Sequence, residues 1–260
     1  MKRLMTALGA AVLFAGAAAL SFGLPAPKVA VAADAVPDKA AIEKIVRDYL
    51  LSHPELIVEM QAAYDQKTEL QRNAQMSSAL KTNADAIFKQ SQTPSVNAAA
   101  SDVTVVEFFD YNCGYCRRAV DDVVKLIDGD KKVKFVFKEF PIFGKDSEAG
   151  ARVALAAGLQ GKYYEVHQGL YRTEGKINEG IALDVAAKLG LDMTKLKADM
   201  TSEAVNAEIA SVQALAGKMG IQGTPHFFVG ENIIPGAPED LYARLSELVK
   251  TVRKDGCKVC

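Results

Sequence analysis

The chain has no tryptophan, three histidines and four cysteines in 260 residues. These shortages narrow the chemistry. A zinc site needs about four close ligands, and His53, His167 and His226 are scattered along the chain. Neither sign of charge is in excess: 31 Lys and Arg face 32 Asp and Glu. No basic stripe is left to neutralise phosphates, which excludes nucleic acid as a partner. After residue 32 no apolar run is long enough to cross a membrane, and there is no internal repeat or low-complexity tract.

What is present begins with an apolar leader. Lys2 and Arg3 precede an uncharged Ala-, Gly- and Leu-rich run from Leu4 to Leu24. Pro25 and Pro27 end the run, and Ala30-Val31-Ala32 offers a small-x-small cleavage site. This is the order of parts in a secretory signal peptide, expected over residues 1–32; the alternative is an uncleaved anchor. Removing the three positive charges of Lys2, Arg3 and Lys28 from a net charge of −1 leaves −4. An exported chain meets an oxidising compartment, the periplasm being the expected one, where cysteine pairs form disulfides.

Residues 33–92 read as helical. Ile42, Ile45, Val46, Tyr49 and Leu50 recur at helical spacing. Ser52 and Glu55 in "SHPE" form a capping-box pattern that breaks and restarts the helix. Ile57, Met60 and Tyr64 then share a face. Two amphipathic helices bury little surface alone, so they are expected to associate with a copy of themselves; the alternative is an arm on their own domain. Residues 93–101, small and polar, read as a linker. "VTVVEFF" (103–109) reads as a buried strand. A helix from about Gly114 to Ile127, a strand over 132–140 and a helical block over about 146–220 follow. A hairpin of "HFFVG" and "NIIPG", and a helix from Pro238 to Lys254, complete the chain. The expected fold class is α/β, a small mixed sheet with helices on both faces.

"EFFDYNCGYCRRA" places Cys113 and Cys116 where that first strand turns into a helix. Unpaired amide groups and the macrodipole at a helix N-terminus favour an anion. Cys113 is therefore expected to be exposed and more acidic than a free thiol, with Cys116 sheltered one turn inward. A disulfide closing so short a loop is a poor stabiliser. Two thiolates can hold a soft ion such as Cu(I). Redox exchange is the favoured reading. Arg117 and Arg118 either add positive potential near Cys113 or lie on a solvated face.

"VVEFFDYNCGYCRRA", followed by a helical block and "GTPHFFVG", resembles the thioredoxin superfamily, and within it the exported DsbA-like branch. The helical leader resembles that of ScsC-type proteins, in which a stalk oligomerises a DsbA-like domain. The resemblance implies a thioredoxin domain over residues 102–254 with a helical insertion at about 146–220, preceded by an oligomerisation segment at 33–92; residues 255–260 are left as a Cys257–Cys260 tail. It implies a thiol–disulfide oxidoreductase acting on exported cysteine-containing proteins. No cofactor is implied beyond the redox-active Cys113–Cys116 disulfide, and a membrane redox partner of DsbD or DsbB type is. Cys113 would attack and Cys116 resolve. Glu107, six positions before Cys113, matches a buried acid that handles protons. Pro225 matches the family's cis-proline, and Thr224 would meet a bound peptide through its backbone. Threonine there is more typical of isomerases than of oxidases, so isomerase or reductase activity is favoured, with a DsbA-like oxidase and a copper-binding protein as alternatives. Gly114 and Tyr115 depart from the Pro-His pair of the best-known oxidase. His226 either tunes the disulfide or is a strand residue. The resemblance leaves Cys257 and Cys260 unexplained: a second redox pair, a Cu(I) clip or an inert disulfide.

Overall fold

The computed structural model describes residues 38–90 and 92–260. The expected signal peptide at 1–32 lies outside them. The chain divides into two compact units, one reaching Glu59 and one beginning at Met60. The first holds helix α1 (Lys39–Ser52), whose N-cap Asp38 accepts from the Ala41 amide. Ile42, Ile45, Val46, Tyr49 and Leu50 are all exposed along α1. The expected apolar stripe is there, exposed along the helix.

The second unit is built on a five-stranded sheet. Helix α2 (Leu56–Thr82) and the short α3 (Ala84–Phe88) lead into β1 (Ser95–Val96) and β2 (Val103–Phe109). Helix α4 (Gly114–Gly129) crosses over to β3 (Val133–Glu139). The helical insertion resolves into α5 (Lys145–Gly158), α6 (Tyr163–Arg172), α7 (Glu179–Lys188), α8 (Met193–Asp199) and α9 (Glu203–Met219). Strands β4 (His226–Val229) and β5 (Asn232–Pro235) and helix α10 (Leu241–Asp255) complete it. The strand order is β1-β3-β2-β4-β5. β2 pairs parallel with β3, from Val103 opposite Val133 to Phe109 opposite Glu139, and antiparallel with β4. This is the expected mixed sheet. β2 reads as an unbroken apolar run because it is central and covered on both faces. Val105 and Phe109 face a core shared with α4, α5, α6 and α10, while Val106 and Phe108 face a second core shared with α2, α3 and α9.

Two segments depart from expectation. The linker at 93–101 is part of the sheet: Ser95 and Val96 pair antiparallel with Val136 and Phe135 at its edge. A buried polar chain fixes the approach to β1. Lys138 Nζ donates to the Ala86 carbonyl, to Gln90 Oε1 and to Thr93 Oγ1 at 2.9 Å, and Thr93 Oγ1 donates to Glu208 Oε1 at 2.8 Å. A buried lysine charge is costly unless it is paired or hydrogen-bonded, and this chain satisfies it. Burial pulls Lys138 down to about 8, against the charge of Glu208.

The helical segment at 33–92 is also not of one kind. Met76, Leu80, Ile87 and Phe88 are buried in the second core, against Val106, Phe108 and Phe228. Burying four such side chains contributes about 6–12 kcal/mol in all, close to the whole stability of an ordinary domain. A chain lacking residues up to 70 is therefore expected to fold with a melting temperature near that of the parent. A chain lacking residues up to 92 is expected to be unfolded or aggregated. Thermal melts followed by circular dichroism check both, and a cooperative melt from the shorter chain would contradict the packing described.

Candidate active site

The site begins at the end of β2. Asp110 and Asn112 clamp the turn that carries Cys113. Asp110 Oδ1 accepts from the Asn112 amide at 2.7 Å and from Ser147 Oγ at 2.8 Å, and its Oδ2 accepts from the Ile142 and Phe143 amides. Asn112 Nδ2 donates to the Ile177 carbonyl, and Asn112 Oδ1 accepts from the Ile177 amide at 2.7 Å. The turn is thus tied to the chain after β3 and to the segment entering α7. Sequence reasoning missed these clamps. Their one local signal was an Asp and an Asn, both turn-forming residues, just before a helix.

Cys113 is the N-cap of α4, in extended conformation, and its sulfur accepts from the Cys116 amide at 3.4 Å. The thiol also donates to the Thr224 carbonyl at 3.2 Å. Its pKa is drawn down from 9.0 to about 5. The hydrogen bond from the Cys116 thiol is the largest cause, burial opposes it, and the amides of Cys116 and Tyr115 add to it. That is the direction expected at a helix N-terminus. The expected exposure is not found: Cys113 is 3% exposed and Cys116 1%. The loop before β4 covers the sulfur through Thr224, while neighbouring Gly114 and Tyr115 stay exposed, Tyr115 at 58%. Cys116 is pushed far above the ordinary thiol value, first by burial, then by its bond to Cys113 and the charge of Glu107.

Glu107 is 4% exposed, on the central strand rather than on a sheet edge. It shares the face of Val105 and Phe109, the face that packs on α4. Burial holds its carboxyl well above the usual range, and the charges of Cys113 and Glu139 add to this. The Thr224–Pro225 peptide bond is cis. Pro225 is fixed from behind, its carbonyl accepting from the Gly236 amide at 2.8 Å. The structure thus brings together Cys113, Cys116, Glu107, Thr224 and Pro225.

Other expected residues fall elsewhere. His226 is a buried strand residue opposite Phe108 and Pro235, with its ring packed on Phe228. Burial lowers its pKa to about 4. Arg117 does not lend free charge to the thiol. Its guanidinium donates to the Tyr171 and Thr173 carbonyls, at 2.7 and 2.9 Å, and so holds the end of α6 to α4. Arg118 stacks over the Tyr115 ring at 4.5 Å. Cys257 and Cys260 form a disulfide by the β4–β5 turn, away from Cys113. Among the described residues no group of three or more His, Cys, Asp or Glu side chains is arranged to hold a metal.

A second buried cluster was not anticipated. Glu139 Oε1 accepts from Tyr111 at 2.8 Å and from Tyr163 at 2.7 Å, and the Tyr111 hydroxyl lies 3.1 Å from His167 Nδ1. Since that hydroxyl donates to Glu139, the imidazole is read as donating to its oxygen. Burial raises Glu139 to about 8, against the two tyrosine bonds, and lowers His167 to about 3.

The family model for the DSBA-like thioredoxin domain matches residues 104–242, so the chain belongs to the DsbA-like thioredoxin family. The model for the copper resistance protein ScsC N-terminal domain matches residues 38–71. A thioredoxin-like oxidoreductase from Silicibacter pomeroyi DSS-3 is 45% identical, over 65% of this chain and 97% of that one, with a TM-score of 0.62. Salmonella enterica Typhimurium BcfH is 29% identical over 82% of this chain and 94% of that one, with a TM-score of 0.69. The probable disulfide bond formation protein D of Bacillus cereus is 30% identical over 59% of this chain and 77% of that protein. The chain also matches Na(+)/H(+) antiporters NhaA from Salinispora, of whose length it spans about a fifth, 20%.

The Cys113 shift has a sign that can be tested. Between pH 5 and 9 the folded thiol is ionised and the unfolded one is protonated, so the unfolded state binds the extra proton. Stability of the reduced protein should therefore rise with pH across that window, and the contribution is lost as pH falls through about 5. The disulfide form carries no such group. The melting temperature of the reduced protein minus that of the protein oxidised at Cys113–Cys116 should increase from pH 5 towards 9, and the same increase should appear when reduced Cys113→Ser, which has no thiol there, replaces the oxidised form as the reference. A difference independent of pH would contradict the acidic thiol.

Proposed function

We propose that the chain is an exported thiol–disulfide oxidoreductase acting on cysteine-containing proteins of the periplasm, with disulfide isomerase or reductase activity favoured. The observation that carries this reading is an acidic Cys113 thiol at the N-terminus of α4, facing the cis Thr224–Pro225 bond with Cys116 beneath it. In the proposed cycle the Cys113 thiolate attacks a substrate disulfide, that S–S bond breaks, and a mixed disulfide forms. Cys116 then gives its proton to ionised Glu107 and attacks the Cys113 sulfur. The substrate thiolate leaves and Cys113–Cys116 becomes the disulfide. Run backwards, the same steps oxidise a substrate, and protonated Glu107 returns the proton to Cys116. The backbone of Thr224 and Pro225 would pair with the substrate as an added strand.

Isomerase use draws on the exposed apolar face of α1 and on the ScsC N-terminal match over residues 38–71. Together they support a homo-oligomer whose subunits enclose a misfolded chain, kept reduced by a membrane partner of DsbD type. The second reading is a DsbA-like oxidase served by a DsbB-type partner. Its support is the acidity of Cys113, since a stabilised thiolate makes the disulfide more oxidising. Cu(I) held by the Cys113 and Cys116 thiolates is the competing non-catalytic role.

Alkylation of Cys113 in intact cells separates the first two: a mostly reduced pair is expected, and a mostly oxidised pair would establish the oxidase. Insulin reduction should survive a Cu(I) chelator and vanish in Cys113→Ser. Activity lost to the chelator, or retained in the variant, would overturn the proposal. The parent should be oligomeric by light scattering and the chain lacking residues up to 70 monomeric. That shorter chain should reduce insulin but fail to reactivate scrambled ribonuclease, and a monomeric parent would remove the enclosure argument. Glu107→Gln should slow release of the mixed disulfide about 10- to 100-fold near neutral pH and flatten its pH dependence. An unchanged pH–rate profile would place Glu107 outside the proton path.

A further inference from the structure

The exchange cycle leaves the Cys257–Cys260 disulfide without a role. We propose that it is a second thiol–disulfide exchange centre, more reducing than Cys113–Cys116, which takes two electrons from a dithiol protein and passes them to the Cys113–Cys116 disulfide of another copy of this chain.

As a staple the bond contributes little. It joins residues three apart, and so short a loop hardly restricts the unfolded chain. Both cysteines are half-buried rather than sealed in a core. Cys257 lies on a cleft of about 200 Å³, lined also by Gly230, Asn232, Val252 and Gly256, so one face of the bond is approachable. Gly230 keeps that cleft open: at its φ of +58° a Cβ would lie 2.9 Å from Val252 and 3.6 Å from the Cys257 sulfur. The local hydrogen bond repeats that of the first pair. The Cys260 amide donates to Cys257 Sγ at 3.0 Å, as the Cys116 amide does to Cys113 Sγ at 3.4 Å. Cys257, the sulfur that lines the cleft, is accordingly the one a thiolate reaches, as Cys113 is in the first pair, and Cys260, packed against the second core, is the sulfur that leaves.

The two pairs sit at helix ends of opposite polarity. Cys113 caps the N-terminus of α4, whereas Cys257 follows Gly256, the C-cap of α10. Carbonyls at a helix C-terminus disfavour an anion where amides at the other end favour it. Glu231 and Asp255 line the same cleft and act in the same direction, with Lys258 opposing them. The reduced form is thus less stabilised at Cys257 than at Cys113, and electrons run from the second pair to the first. They do not run within one chain. Cys113 bonds to Thr224 before β4, and Cys257 lies beside Gly230 after it. Five residues, four of them the strand β4, lie between Thr224 and Gly230, which places the two pairs at opposite ends of that strand, at most about 20 Å apart along the chain.

In the first half, a thiolate of the donor dithiol attacks Cys257 Sγ, the S–S bond breaks and Cys260 leaves as thiolate. The donor's second thiolate breaks the mixed disulfide and releases Cys257. The donor becomes a disulfide, and Cys257 and Cys260 hold two electrons and two protons. In the second half, Cys257 attacks Cys113 Sγ of an oxidised copy, Cys116 leaves, and Cys260 attacks Cys257 Sγ and releases Cys113. The second disulfide re-forms and Cys113 and Cys116 are thiols. Only this second half rests on the exchange role proposed for Cys113–Cys116.

The test uses the full chain with Cys113→Ser/Cys116→Ser or with Cys257→Ser/Cys260→Ser. Each native protein is equilibrated with reduced and oxidised dithiothreitol, alkylated and weighed by mass spectrometry. Cys257–Cys260 should open without denaturant, at a reduced-to-oxidised ratio at least about tenfold higher than Cys113–Cys116 needs. The first variant, pre-reduced, should then reduce the oxidised second variant on mixing. A second pair that opens only in the unfolded protein would show an inert staple. One that opens at the lower ratio would reverse the direction, and two reactive pairs with no transfer on mixing would remove the relay. Each overturns the proposal. A second variant that cannot reduce insulin overturns the function proposed for Cys113 instead, and the dithiothreitol result on the first variant still decides the second centre.

Discussion

The site depends on the unpaired amides at the start of α4, which the chain directs at one sulfur. The turn they form brings the Cys116 thiol, whose hydrogen bond favours the thiolate most, onto an extended Cys113, and the amides of Cys116 and Tyr115 add to it. The rest of the fold holds that geometry. β2 carries the chain to the helix start from the centre of the sheet, Asp110 and Asn112 fix the turn, and Arg117 anchors the first turn of α4 to the end of α6. Opposite, Gly236 fixes the Pro225 carbonyl and thereby the Thr224 carbonyl that meets the thiol.

Burial divides the titratable groups by what surrounds them. Cys113 has donors that outweigh its burial, so its pKa falls. At Cys116 burial outweighs a backbone hydrogen bond at Asp110, and at Glu107 nothing opposes it, so both rise, and each charge near them adds to the rise. One thiol ionised, the other protonated and a carboxyl that keeps its proton above the usual range form a graded set for moving a single proton. The Tyr111, Tyr163 and His167 cluster extends this buried polarity to Glu139, whose charge also acts on Glu107.

Much of this was legible in the sequence because it is local. The apolar run 103–109, the Cys-x-x-Cys at a strand-to-helix turn and the stripe on α1 each show in a few adjacent residues. The cis bond at Pro225 came from resemblance, since nothing in Thr224-Pro225 alone distinguishes it. What escaped notice depends on partners distant in sequence. Ser95 and Val96 look like a linker until β3 lies beside them, and Thr93 is set by Lys138 and Glu208. Met76, Leu80, Ile87 and Phe88 continue the helical pattern of the leader, and only packing on Val106 and Phe108 separates them from it. The covering of Cys113 likewise comes from a carbonyl 111 residues away.

The central claim is that the fold makes Cys113 a thiolate at neutral pH. The rate at which iodoacetamide alkylates Cys113 in the reduced, native protein, followed from pH 3 to 10, tests it most directly. The account predicts a titration midpoint near 5, far below the ordinary 9.0, with Cys116 unreactive throughout. A midpoint near the ordinary thiol value would contradict it.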